Sequence, residues 1–81
     1  MTPGLRRLYV PRPAQVEAGA AGEPVSLDGV AVEAVREEWV VEDRWWTLGR
    51  LWRHYFELVL ADGRDLVVFR SSSGRWFQQR A

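Results

Sequence analysis

The residues of this chain best suited to surface chemistry are arginines and large aromatics, and they crowd its C-terminal half. Arg44, Trp45, Trp46, Arg50, Trp52, Arg53, Tyr55, Phe56, Arg70, Arg75, Trp76 and Phe77 all follow Asp43. A guanidinium forks onto carboxylate or phosphate and lies flat on aromatic faces. Indole and phenol rings supply the contact area of protein interfaces and the platforms on which single-stranded bases stack. In extended chain, neighbouring side chains point to opposite sides. Trp45 and Trp46 therefore cannot both point inward, and neither can Tyr55 and Phe56. One large ring of each pair is expected to be exposed or packed against an arginine. The candidate binding residues, for protein or nucleic acid, are Arg44, Trp45, Trp46, Trp52, Arg53, Tyr55, Arg70, Arg75 and Trp76. The plain alternative is that Trp serves as core filler, but five indoles are hard to bury together in 81 residues.

Other groups point away from catalysis. Glu37-Glu38 and Glu42-Asp43 are acid pairs, yet neighbours on a strand diverge and cannot meet on one atom. His54 is the sole imidazole and the chain has no Cys. Thiolate metal sites, disulfides and a Cys nucleophile are excluded. Ser71-Ser72-Ser73-Gly74 lacks the strand–turn–helix setting of a nucleophile elbow and the pattern of a phosphate loop, and reads as a turn. No catalytic residue, metal site or cofactor is expected, and the chain reads as a binding protein rather than an enzyme.

Charge is uneven although the net is zero. Residues 17–43 carry eight acids against Arg36 alone, whereas residues 45–81 are basic on balance. All eleven basic residues are Arg, and Lys, Ile and Asn are absent, the codon signature of a GC-rich genome. A neutral chain lacks the basic stripe that usually supports non-specific nucleic-acid binding. No apolar run approaches a membrane span of about 20 residues, and no signal-peptide core precedes Pro11. A cytoplasmic protein is expected.

These side chains must be positioned by strands. The length allows a single domain, residues 1–81. Residues 5–10 read as a first, edge strand ended by Pro11-Arg12-Pro13. Residues 14–25, rich in Ala, Gly and Glu, read as a mobile loop. Val30, Val32, Val35, Trp39 and Val40 have partly helical spacing, but five Val and a Trp favour a strand over 30–43, bulged near Arg36-Glu37. Residues 44–51 read as a connection. His54, Phe56, Leu58 and Leu60 alternate with Tyr55, Glu57 and Val59, and Asp62-Gly63 predicts a two-residue hairpin turn. That turn sets Val59 opposite Leu66, Leu58 opposite Val67 and Phe56 opposite Phe69. Residues 75–79 form a last strand. The expected fold is mainly β: an antiparallel meander of about five strands, as a curled sheet or SH3-like barrel.

One further pattern is ordered along the chain: Glu42-Asp43-Arg44-Trp45-Trp46-Thr47, Arg53-His54-Tyr55-Phe56-Glu57-Leu58, Asp62-Gly63-Arg64, Leu66-Val67-Val68-Phe69-Arg70 and Ser73-Gly74-Arg75-Trp76-Phe77-Gln78-Gln79. With Leu8-Tyr9-Val10-Pro11 it resembles a small bacterial family of unknown function, found as short proteins and, in similar form, as the C-terminal tail of some Y-family translesion DNA polymerases. Where family members carry Pro-Arg-Pro after the Trp pair, this chain has Thr47-Leu48-Gly49-Arg50. The resemblance implies a non-catalytic accessory module of DNA damage tolerance. The expected partner is a translesion DNA polymerase or a related protein. Direct binding of single-stranded DNA by the same face, and a homodimer burying the aromatics, are the alternatives.

Overall fold

A computed structural model describes residues 11–43 and 51–79. The expected strand over 5–10 and residues 44–50 of the connection expected over 44–51 lie outside the described residues, and Leu51 belongs to a strand. The described residues form seven strands: β1 (Arg12–Pro13), β2 (Val16–Ala18), β3 (Pro24–Leu27), β4 (Val30–Asp43), β5 (Leu51–Leu60), β6 (Asp65–Ser71) and β7 (Trp76–Gln79). They form one antiparallel sheet in the order β1-β7-β6-β5-β4-β3-β2, curled into a half-barrel. Among the described residues, no helix is long and apolar enough to cross a membrane.

Alternation along β5 and β6 makes the core. Phe56, Leu58 and Leu60 face the same side as Leu66 and Val68, and with Leu27 from β3 they form a buried cluster. Ala14, Val16, Val30, Val32 and Trp76 pack around it. Full burial of a side chain such as Leu58 contributes about 1.5–3 kcal/mol. Among the described residues, the curling of the sheet brings these side chains together along one of its faces.

The hairpin between β5 and β6 differs from the sequence expectation. The Leu60 N–H donates to the Arg64 carbonyl at 2.8 Å, and the Gly63 N–H donates to the Leu60 carbonyl at 2.9 Å. Three residues, Ala61-Asp62-Gly63, make the turn, and Gly63 takes a φ of 91° that side-chain-bearing residues resist. One extra turn residue moves the register by one. Leu58 stands opposite Leu66, Phe56 opposite Val68 and Tyr55 opposite Phe69. Because a one-residue slip exchanges the two faces of a strand, Phe69 lies on the outer face and not beside Phe56. The β6–β7 turn repeats the device, with Ser71 and Arg75 closing it. Asp28-Gly29 is the true two-residue turn, joining Leu27 to Val30 with both φ angles positive.

β4 is a strand of 14 residues, and its partly helical spacing has a specific cause. Its pairing with β5 is interrupted between Val32 and Ala34 and again between Val35 and Glu37. Each bulge inserts one residue, Glu33 and then Arg36, so Val32 and Val35 face the inner side three positions apart. The second interruption falls where the sequence suggested a bulge.

Residues 14–25 are not a simple loop. They hold β2 and the start of β3, which pair as a hairpin closed by the Gly19 N–H on the Glu23 carbonyl at 2.7 Å. The segment Arg12–Ala18 also joins the two ends of the sheet. Arg12 and Pro13 pair with β7, and three to four residues later Val16 and Glu17 pair with β3. The junction is pinned by Ala14 N–H on the Trp76 carbonyl at 3.1 Å and by Asp28. The Asp28 carboxylate accepts the Gln15 N–H at 2.9 Å and the Gln78 side chain at 3.1 Å.

Candidate binding surface

Alternation divides the residues chosen from the sequence between two faces. Trp52 and Arg70 lie on the inner face near the His54 end of β5, and Trp76 lies opposite Arg70 on the same side. Arg53 and Tyr55 lie on the outer face, in register with Ser71 and Phe69. Arg75 is exposed, just past the turn before β7. Arg44, Trp45 and Trp46 lie outside the described residues. The described members therefore form two groups and not a single Arg/Trp face.

The outer group has an unexpected extent. Trp39 of β4, Tyr55 of β5, Phe69 of β6 and Phe77 of β7 stand directly opposite one another across four strands. Trp39 and Tyr55 stack in parallel, with ring centroids 5.2 Å apart and planes within 2°. Tyr55 meets Phe69 at 5.0 Å, tilted by 43°, and Phe69 stacks on Phe77 at 5.2 Å. The Arg53 guanidinium covers the Phe69 ring at 4.8 Å and donates to the Tyr55 hydroxyl at 3.3 Å. Phe69 is buried beneath it at 3% exposure, while Trp39 at the end of the row is 37% exposed. Trp39, Phe69 and Phe77 were missed as site residues because the two-residue turn put Phe69 on the other face. Adding one residue to the turn aligns the row.

The inner group is built around the core rim. Trp76 tilts against Phe56 at 5.8 Å, and the Arg70 guanidinium lies 5.8 Å from the centre of the Trp52 ring. His54 stacks on Phe56 at 4.4 Å and shares a hydrogen bond with Glu38 at 2.9 Å. Trp76 is thus largely core filler, and Trp52 and Arg70 extend that packing toward solvent.

Among the described residues, charge around the outer row is mixed. Glu37 and Glu57 stand opposite each other one step from Trp39 and Tyr55. Arg36 is bound to Asp65 at 3.1 Å. Arg53 is spread over Phe69 and Tyr55. A groove that follows phosphates uses a line of available cations; among the described residues, Glu37 and Glu57 border the rings. Glu37 and Glu38 point to opposite faces, and among the described residues no group of three acids or histidines is placed to hold a metal ion. Comparison with protein-family models, curated proteins and solved structures finds no match to the chain.

Proposed function

We propose that the protein is a non-catalytic binding module that takes a protein partner on the outer face of its sheet. The observation that carries this is the aromatic row Trp39–Tyr55–Phe69–Phe77 with Arg53 laid over it. Rigid rings and a preplaced guanidinium give contact area at small entropic cost, which is the make-up of interface hot spots. The acids bordering the row favour a polypeptide over a phosphate backbone. The resemblance to a polymerase tail names the candidate partner, a translesion DNA polymerase, and would place the module in damage tolerance in the cytoplasm.

The test is a pull-down of that polymerase with Trp39→Ala/Arg53→Ala. Capture is expected to be lost while the far-UV spectrum is unchanged. A folded double variant that still captures the polymerase removes the outer face from the interaction. The stacked row also favours a second reading, single-stranded DNA on the same rings. It predicts an affinity that falls steeply with salt, and a labelled oligonucleotide that fails to bind at low salt discards it.

A further inference from the structure

We infer that the open edge of β4 around Glu38–Val40 accepts an extended, basic segment of a partner protein as an added strand. The inference rests on the reading of the protein as a protein-binding module and locates where the partner's backbone would lie.

The pairing pattern shows the edge. β3 pairs with β4 only at Val30 and Ala31, and among the described residues no strand continues along that side. The direction of the backbone groups follows from the hairpin. Both the N–H and the C=O of Leu60 are bonded within the β5–β6 turn. In an antiparallel ladder these groups alternate between the two neighbours. Those of Tyr55 and Arg53 therefore face β4, and those of their partners Trp39 and Val41 face β5. Glu38 and Val40 are left with their N–H and C=O directed outward.

Natural edges are guarded by bulges, prolines or charge. Here the bulges occur only before Glu37, and from Glu37 onward the pairing of β4 with β5 is regular. Apolar surface accompanies the regular part: Trp39, Val40 and Val41 are 37%, 60% and 45% exposed. The remaining guard is charge, since β4 carries five acids against Arg36. That guard is selective. A second copy paired symmetrically about Val40 would set Glu38 against Glu42, and like charges directly opposite are unfavourable. A strand with basic residues on the Glu38 side and apolar residues on the Trp39 side meets no such opposition. Strand addition of this kind takes affinity from the backbone and specificity from alternate side chains.

The probe is a fluorescein-labelled peptide, Arg-Val-Arg-Val-Arg, titrated against the full chain by anisotropy. Salt-sensitive binding is expected, with none for the Glu-Val counterpart. Methylating the peptide's arginine amides keeps its charge but removes strand donors, and should weaken binding by about tenfold or more. Val40→Pro removes an outward N–H that β5 does not use, a place where an edge strand tolerates proline. It should stay folded and lose the peptide to a similar degree. Equal binding by the methylated peptide, which needs no variant, would overturn the inference, as would undiminished binding to folded Val40→Pro. Sedimentation of the wild type as a dimer that Val40→Pro dissociates would assign the edge to a second copy instead. Loss of polymerase capture in Trp39→Ala/Arg53→Ala but not in Val40→Pro would reject the edge and leave the outer-face reading standing.

Discussion

Removing the Phe69 ring tests both the outer aromatic row and the register that creates it. Phe69 is 3% exposed and is enclosed by Tyr55, Phe77 and Arg53. Burial of a ring of this size contributes about 2–3 kcal/mol. Each of its two aromatic contacts adds about 0.5–1.5 kcal/mol. Together these reach about 3–6 kcal/mol, and Phe69→Ala should cost about 3–5 kcal/mol, the usual range for a buried phenylalanine. Arg53 covers the ring from solvent and can settle into the gap, which favours the lower end. For a domain of this size a loss near 3 kcal/mol lowers the midpoint of thermal unfolding by about 12–24 °C. Urea unfolding followed by circular dichroism gives the free energy, and a double-mutant cycle gives the register. Tyr55→Ala and Phe69→Ala should couple by about 0.5–1.5 kcal/mol, because the two rings share a face. Phe56→Ala and Phe69→Ala should be close to additive, because the sheet separates them. Stronger coupling of Phe69 to Phe56 than to Tyr55 would refute the three-residue turn and the row with it.

Two further outcomes follow from the same turn. Gly63 has φ 91° and open space around it, so Gly63→Ala meets backbone strain but no clash and should cost about 1–2 kcal/mol by urea unfolding; an unchanged midpoint would contradict the turn geometry. The Asp62 carboxylate accepts the Arg64 backbone N–H, and also its Nε at 2.9 Å, which holds its pKa below the ordinary 3.8. A lowered folded pKa stabilises fully above 3.8 and is lost as pH falls through the folded value. The stability advantage of wild type over Asp62→Ala should therefore shrink in acid, and a difference constant to well below that pH would refute it.

The β5–β6–β7 meander was legible because its signals are local. Alternation marks the strands, and Gly63 and Gly74 mark the turns. Register was not legible, since Asp62-Gly63 suits either a two-residue turn or the end of a three-residue turn. The choice depends on which faces pack, a property of the whole sheet. The division of the arginines and tryptophans has the same root: nearness in sequence placed Trp52 with Arg53, whereas the strand period separates them. β2 was hidden because three residues, Val16–Ala18, are too few to show a period. Their strand character comes from pairing with β3. In β4, two bulges replaced the two-residue period by a three-residue step at Val32 and Val35, which imitates a helix.

The junction at Asp28 has a consequence for the order of folding. From β2 to β7 each strand pairs with the next in sequence, so these hairpins can form by closing the shorter loops. Closing the half-barrel instead brings Arg12 to Gln78 and Ala14 to Trp76, and Asp28 to Gln78 across 50 positions. Such distant contacts carry the larger loop-closure entropy and form after the local ones. The fastening is thus made last and released first. The amide hydrogen of Ala14, bonded to the Trp76 carbonyl, should exchange with solvent through a partial opening that leaves the β5–β6 amides protected. One carboxylate touching both ends of the sheet makes the barrel a buckled strap, able to loosen at its clasp while the meander stays folded.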